Sequence, residues 1–492
     1  MTNMPHPAAS TAPCSRRQAL ADLGLGLGAV GFAVACRDAG LLAAEPPLPA
    51  AIRPVHFPAR ARRLIQIFAE GGPSHIDTLD PKPKLAEYHG RLVDEVLPNV
   101  VASAPPVATA MGRLRGRIQR SGFAFRRHGD SGIEISELLP RLGGVADELC
   151  VIRSMATSSS QHPQAQLLFA TGHATGAVPS LGSWCVYGLG TENANLPAFV
   201  ALAPAAKTEV GDHHWRSGFL PSWTAGEGLA SAALDRAPQA AVRLIEHLRS
   251  TRTSLDGRRR QLELLSELHA EHASRAGTNG FLDDRLGQFE TAFRMQVEAR
   301  DAFDILREPS SMHRLYGSSS LGLQCLLARR LVERGVRFVQ IHHPGWDTHD
   351  ENDARHRALC GTLDGALAAL ITDLRDRGML DDTLVIWGGE FGRTPTVDVN
   401  NAVDIRRDIG RDHNAAGFSI LMAGGGIRRG MTLGATDDFG VAAVEDRVEV
   451  HDLHATILHL LGLDHERLTF RHAGRDFRLT DTAGRVIRKI LA

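Results

Sequence analysis

Histidine and carboxylate side chains are concentrated in four short segments of the chain that could form one site. Three of these segments directly follow apolar runs with the length of a β-strand, and the fourth directly precedes such a run. Ligands of open α/β sheets bind at the carboxyl ends of the strands, so we expect the segments to meet at one edge of a sheet. The candidate metal ligands in them are His75, Asp77, Asp347, His349, Glu390 and His413.

Two of the segments carry an aspartate and a histidine that are separated by one residue. Asp347 and His349 form one such pair, and His75 and Asp77 form the other. In an extended segment, side chains two positions apart project to the same side. Each pair therefore offers a carboxylate and an imidazole to one cation, and a hydrogen-bonded Asp–His pair in a turn is the alternative.

The remaining candidates predict the chemistry of an anionic substrate. Glu390 follows two glycines, which permit close approach of a ligand, and it is either a metal ligand or the ion-pair partner of Arg393. Arg393 is a candidate catalytic residue, because a guanidinium can contact a tetrahedral anion through two hydrogen bonds. Divalent metals with oxygen and nitrogen ligands suit phosphate and sulfate oxygens and can activate water. The predicted cofactor is a divalent metal ion, with zinc, calcium, magnesium and manganese left open.

The hydrophobic pattern predicts the elements that position these residues. Short apolar runs bounded by charges or glycines predict strands over residues 64–69, 149–152, 198–202, 336–342, 383–387 and 418–422. Leucines at steps of three and four indicate an amphipathic helix from Arg355 to Arg377, and Gly378 ends it. With its flanking strands this helix makes a βαβ unit, for which parallel strands and a right-handed crossover are favoured. Residues 451–461 predict a further helix.

The N-terminal residues predict export of the protein. Arg16 and Arg17 precede a short apolar stretch, residues 19–35, that ends in small residues. This pattern is typical of a secretory signal, and the paired arginines resemble a twin-arginine signal. A membrane helix is the alternative, but spanning takes about 20 apolar residues. The expected partner is the twin-arginine export machinery, and the expected location is periplasmic or extracellular. An alanine three residues before Cys36, where leucine is usual, argues against lipid anchoring.

The domain organisation follows from these patterns. We assign residues 1–44 to the signal and the start of a linker, and residues 45–492 to one domain. Two charged stretches with apolar residues at steps of three and four predict a helical insertion at about residues 233–306.

Composition excludes two classes of protein. The 492 residues include 55 Lys and Arg and 56 Asp and Glu, for a net charge of −1, with no stripe of basic and aromatic residues. A nucleic-acid partner is therefore not expected. The six cysteines show no C-x-x-C spacing, which excludes a zinc knuckle. One or two disulfides suit an exported protein, and free buried cysteines are the alternative.

Several longer stretches resemble the family named domain of unknown function 1501. They include GGPSHIDTLDPKP, GWDTHDEN, GGEFGRTP and LHATILHLLGLDHERLTF, and the resemblance extends over roughly residues 60–492. That family is similar to the sulfatase and alkaline phosphatase superfamily, and its members are largely exported bacterial proteins. The resemblance implies an α/β fold, a three-layer sandwich with a mostly parallel central sheet, that is alkaline-phosphatase-like.

Position by position, the resemblance is uneven. The run from His162 to Gly172 resembles the sulfatase stretch that begins with the nucleophile, and His162 takes the nucleophile's place. This excludes formylglycine chemistry there and leaves His162 as a general base, a metal ligand or a covalent nucleophile. Glu390 replaces a superfamily aspartate and Phe391 a histidine, whereas His413 resembles the last phosphatase histidine. These departures favour one metal site over two.

The leading hypothesis is an exported metal-dependent hydrolase of sulfate or phosphate esters. Its substrate would be an anionic ester, with sulfated and phosphorylated glycans among the candidates. The altered nucleophile motivates the alternative of a non-catalytic exported binding protein on a degenerate sulfatase-like fold, since a fold does not fix a function. Phosphoryl transfer or isomerisation, as in mutases of the same superfamily, is a third hypothesis.

Overall fold

The computed structural model describes residues 53–98, 109, 114–193, 195–203, 208–231, 234, 255–276, 300–397 and 410–492, with single positions at 282, 286, 289 and 293. The predicted export signal and much of the predicted helical insertion lie outside these residues.

The described residues form strands on both sides of a helical stretch between residues 230 and 338. In order they are β1 (Arg63–Glu70), β2 (Phe125–His128), β3 (Ile133–Ser136), β4 (Leu149–Ala156), β5 (Phe199–Ala203), β6 (Glu227–Ala230), β7 (Phe338–Pro344), β8 (Thr383–Gly388), β9 (Gly392–Val397), β10 (Arg411–Asn414), β11 (Phe418–Ala423), β12 (Met431–Leu433), β13 (Ala435–Thr436), β14 (Ala443–Glu445), β15 (Val448–Glu449), β16 (Phe470–His472) and β17 (Arg475–Phe477).

The described residues also form α-helices. They are α1 (His75–Thr78), α2 (Lys84–Glu87), α3 (Val93–Val96), α4 (Pro140–Gly143), α5 (His162–Thr171), α6 (Leu181–Leu189), α7 (Leu255–Ala276), α8 (Arg300–Phe303), α9 (Ser310–Tyr316), α10 (Ser320–Glu333), α11 (Asn352–Asp376) and α12 (Val450–Leu460).

The central sheet is mostly parallel, as predicted. Its strand order is β12-β4-β11-β8-β1-β7-β5-β6, and β15 also pairs with β4. Among these strands only β11 is antiparallel to its neighbours β8 and β4. The predicted parallel pair β7 and β8 is confirmed, although β1 lies between them and pairs with both. The helix α11 therefore crosses over one intervening strand.

Alternating side chains of the sheet build two separate cores, which makes the fold a three-layer sandwich. In β8, Val385 and Trp387 belong to the core on one face, whereas Leu384 and Ile386 belong to the core on the other. Helices α10 and α11 cover the first face, and α5, α6 and α12 cover the second. Because both faces are covered, the parallel strands are continuous hydrophobic runs. The predicted fold class is confirmed.

Helix α11 confirms the leucine pattern. Leu363, Leu367, Leu370 and Leu374 are fully buried against the sheet, and Leu359 is partly buried. Burial of each leucine side chain contributes about 1.5–3 kcal/mol to folding. The helix begins at Asn352, three residues before the predicted start, and so brings its first turn next to the loop that carries Asp347.

The structure also bears on the predicted disulfides and on membrane-spanning helices. Cys150, Cys185, Cys325 and Cys360 are buried and free, so the described part of the chain follows the alternative without disulfides. Within the described residues, no helix has both the length and the apolar character required to cross a membrane. Helix α7 lies within the predicted insertion, whose boundaries remain a prediction.

Candidate metal centre

Loops at the carboxyl edge of the sheet bring four of the candidate side chains together. Asp347 and His349 follow β7, and His162 opens α5 after β4. His413 lies on β10, before β11. Because β11 is antiparallel, the residues that precede it reach the same edge as the residues that follow the parallel strands. A main-chain hydrogen bond of 3.0 Å from Arg411 N to Thr348 O joins the two histidine-bearing segments directly.

Three imidazole nitrogens converge on one carboxylate oxygen. Asp347 Oδ1 lies 3.2 Å from His162 Nε2, 3.1 Å from His349 Nε2 and 3.4 Å from His413 Nε2. His349 Nε2 and His413 Nε2 are 2.9 Å apart. The group opens to solvent on one side, because the Asp347 side chain is 47% exposed and that of His349 is 31% exposed.

The donor atoms of this group fit a tetrahedral cation site. All four lie within 4.8 Å of one another. A zinc ion with ligands at about 2.0–2.1 Å requires separations of roughly 3.3 Å between ligand atoms, close to the four separations given above. His162 Nε2 is buried and makes no hydrogen bond of good geometry, so a cation could bind there in place of a proton. Three imidazoles and one carboxylate favour zinc over calcium or magnesium, which prefer oxygen ligands.

His413 is held in the form that a metal requires. Its Nδ1 lies 2.6 Å from the main-chain oxygen of Ser160, so Nδ1 carries the proton and Nε2 presents its lone pair to the group. Burial lowers the pKa of His413 to about 4, despite the opposing effect of the Asp347 carboxylate. The imidazole is therefore neutral at neutral pH, as a ligand must be.

Glu390 orients His162 and does not itself face the group. Its Oε1 is 2.7 Å from His162 Nδ1, and it also accepts hydrogen bonds from Gly71 N and from Gln166 Nε2. Burial would lower the pKa of His162, but the Asp347 and Glu390 carboxylates outweigh it and raise the pKa to about 9. A cation bound at Nε2 would displace that proton, and the Nδ1 contact would remain, as in carboxylate–histidine–zinc triads.

Replacing Glu390 by glutamine should weaken metal binding without unfolding the protein. The variant keeps the size of the fully buried side chain but loses the charge that holds the His162 proton at Nδ1. We expect the zinc dissociation constant to rise about 10- to 100-fold, the usual effect of losing an outer-shell partner, measured by competition with a chromophoric chelator. Glu209→Gln, on the far side of Gln166, is the matched control and should bind zinc as the wild type does.

Arg393 is buried behind the group and faces the protein. Its Nη2 donates to Asp347 Oδ1 at 2.7 Å and also contacts Gly71 O. Its Nε donates to Gly72 O at 2.9 Å, and its Nη1 donates to Arg411 O at 3.1 Å. Burial would raise the pKa of Asp347, but the three neighbouring imidazoles and the charge of Arg393 outweigh it and lower that pKa. Arg393 is thus bonded to the Asp347 carboxylate and to main-chain oxygens, so its guanidinium fixes the position of Asp347.

Gly71 lets the loop after β1 pass directly against the Asp347 loop. Its φ is +112°, and an added Cβ would lie 2.3 Å from Asp347 N. No side chain fits there. Thus the first predicted loop contributes main-chain groups to the site: Gly71 N binds Glu390, and the oxygens of Gly71 and Gly72 bind Arg393.

The structure places His75 and Asp77 in a separate buried network. His75 Nε2 lies 3.0 Å from Gly440 O. Asp77 accepts hydrogen bonds from Arg411 Nε at 2.9 Å and from Asn352 Nδ2 at 3.1 Å. Neither residue belongs to the group of four. Burial would raise the pKa of Asp77, but the Arg411 guanidinium and further polar neighbours lower it to about 2.

Two neighbours of the site were not among the predicted residues. Gln166 stands one helical turn after His162, so the spacing of four in α5 could have indicated that both face the site. Its Nε2 contacts Glu390 Oε1 at 3.3 Å and Glu209 Oε2 at 3.0 Å. Glu209 lies far from the motifs in sequence, and no local signal pointed to it.

The fold and the group of four define a class of α/β protein with a candidate metal centre at the carboxyl edge of its sheet. Residues 61–491 match the family described as "Protein of unknown function (DUF1501)". The chain belongs to this family, as the resemblance of its motifs predicted. No curated protein matches the sequence.

Several solved structures are similar to the chain at low sequence identity and low TM-score. PsFucS1 sulfatase from Pseudoalteromonas sp. is 13% identical, with a TM-score of 0.33, over 83% of this chain and 69% of that one. Alkaline phosphatase from the Antarctic bacterium TAB5 is 11% identical, with a TM-score of 0.33, over 82% and 98%. The periplasmic domain of EcEptC from Escherichia coli, solved in complex with Zn, is 9% identical, with a TM-score of 0.32, over 86% and 88%. We base no assignment of the reaction on these similarities.

Proposed function

We propose that the protein is an exported metal-dependent hydrolase of sulfate or phosphate esters. The observation that supports this proposal is the convergence of three imidazoles on the Asp347 carboxylate at the solvent-facing edge of the sheet. In the proposal His162, Asp347, His349 and His413 hold the metal. A divalent metal bound there would polarise the ester oxygen and lower the pKa of a coordinated water.

The chain's own residues prepare this site. Arg393 fixes the Asp347 carboxylate, and Glu390 fixes the His162 ring. The main-chain oxygen of Ser160 fixes the ring of His413. The ligands are thus held before a cation arrives, which reduces the reorganisation needed during the reaction. Because Nε2 of His162 faces the group, we assign His162 as a ligand and propose water as the nucleophile.

The experiment combines elemental analysis with a panel of substrates. We expect about one zinc per chain in purified protein and hydrolysis of an aryl sulfate, a phosphomonoester or a phosphodiester. A chelator should abolish the activity, and added zinc should restore it. Metal-loaded protein that hydrolyses none of these esters would contradict the proposal.

The proposed twin-arginine export is tested separately with a reporter protein fused to residues 1–44. Replacing Arg16 and Arg17 with lysine should block export of that reporter.

One observation favours the alternative of a binding protein. The Arg393 guanidinium, the sequence candidate for contacting a substrate anion, is fully buried and bonded to protein oxygens. A non-catalytic protein would bind a sulfated or phosphorylated glycan through its metal without hydrolysing it. Retention of a sulfated glycan by metal-loaded protein that turns over no ester in the panel supports this alternative.

A further inference from the structure

Carboxylates around the metal centre would offset the positive charge that attracts an anionic substrate. Asp347, Glu390 and Glu209 supply three negative charges at or beside the group. A divalent metal and the Arg393 guanidinium supply three positive charges, so the loaded site would be neutral overall. An anionic ester would therefore bind better if a further cation lay at the open side of the site.

Arg355 contacts the main chain of the segment that carries Asp347. It belongs to the first turn of α11, and its Nη1 donates to the main-chain oxygen of Asp347 at 3.1 Å. Its side chain is 43% exposed, in contrast to the fully buried Arg393. The guanidinium thus lies within hydrogen-bond distance of the main chain of Asp347, the most exposed residue of the group.

The carboxylate partner of Arg355 is one that an anion can replace. Arg355 Nη1 lies 3.3 Å from Asp350 Oδ1, and the Asp350 side chain is 62% exposed. Exposed ion pairs contribute little to stability because water screens them. A sulfate or phosphate group with three oxygens can compete for the guanidinium through two parallel hydrogen bonds.

We propose that Arg355 is the residue that binds the sulfate or phosphate group of the substrate. The proposal rests on the proposed function, because it assumes a metal-bound ester at the group of four. In the absence of substrate the guanidinium forms an ion pair with Asp350, and this ion pair breaks when the anion binds. Arg355 thereby replaces Arg393 as the anion-binding guanidinium of the site.

The test measures binding of inorganic phosphate and inorganic sulfate to zinc-loaded protein by calorimetry. We expect Arg355→Ala to weaken binding of at least one of the two anions about 10- to 100-fold, the usual effect of removing a hydrogen bond to a charged group. Arg355→Lys should recover part of the loss, because lysine keeps the charge but not the paired geometry. Arg357→Ala is the matched control, because its guanidinium lies over the Phe123 ring, and it should bind as the wild type does.

Two further measurements separate the possible outcomes. Asp350→Asn should bind the anion as tightly as the wild type or more tightly, because it frees the guanidinium. Zinc content must be equal in all variants; loss of zinc in Arg355→Ala would show that Arg355 only supports the Asp347 loop and would overturn the proposal. Unchanged binding of both anions in a zinc-loaded Arg355→Ala variant would overturn it as well. Anion binding is measured without turnover. If the protein hydrolyses no ester, the proposed hydrolase activity is refuted, but the binding measurement still tests the role of Arg355.

Discussion

His413→Ala should lose zinc binding and, with it, every metal-dependent activity of the protein. The imidazole is a neutral ligand whose Nε2 lies 2.9 Å from His349 Nε2 and 3.4 Å from Asp347 Oδ1. Removal of a ligand should raise the zinc dissociation constant more than the roughly 10- to 100-fold that follows loss of an outer-shell partner. Competition with a chelator gives the constant, and elemental analysis gives the content.

A surface histidine provides the control for this prediction. His472 is exposed on β16 and takes no part in the group of four, so His472→Ala should retain wild-type zinc content and affinity. Far-ultraviolet circular dichroism establishes that both variants are folded. A folded His413→Ala variant that binds zinc as tightly as His472→Ala would refute the metal centre.

Asp77→Ala should be the most destabilising of these substitutions. Asp77 and Arg411 form an ion pair of 2.9 Å in which both side chains are fully buried. Removing the carboxylate leaves the guanidinium buried without its countercharge, which typically costs 3–5 kcal/mol of the free energy of unfolding. Urea unfolding at neutral pH measures the loss. Asp438→Ala removes an exposed ion pair with Lys84 and should leave the urea midpoint unchanged.

Acid should reduce the difference between wild type and Asp77→Ala. The pKa of Asp77 is about 2 in the folded protein, below its ordinary value of 3.8. A lowered folded pKa stabilises the protein above the unfolded pKa, and this contribution is lost as pH falls through the folded pKa. The stability gap should thus be largest at neutral pH and shrink between pH 4 and pH 2. A gap that stays constant or widens on acidification contradicts the assignment of the ion pair.

The fold could be predicted from the sequence because its strands and helices carry strong local patterns. The leucines of α11 and the apolar runs of β1, β7 and β8 are such patterns. Their lateral order is not local: the sequence indicates that β7 and β8 are parallel but does not indicate that β1 lies between them. Placing β1 there depends on pairing between residues far apart in the chain.

The site was predicted less completely than the fold, and the reason is visible in two pairs of residues. Asp347 and His349 lie in an irregular loop, where a spacing of two brings both side chains to one cluster. His75 and Asp77 have the same spacing but lie in the single turn of α1, where side chains two apart do not face each other. The secondary structure of a segment therefore determines whether two side chains at a given spacing point in the same direction. His162 and Glu390 show a further limit, because which of two contacting side chains faces the cluster is a tertiary property.

The reversed direction of β11 has a consequence for the order of events in biogenesis. The chain segment that presents His413 is synthesised last among the four, and it reaches the shared edge only when β11 inserts between β8 and β4. Until that insertion, the nascent polypeptide holds at most three of the four donors. Tight capture of a cation therefore requires β11 to be in place, although β12 and β15 of the same sheet follow it in the chain, so we expect metal loading only after β11 has joined the sheet.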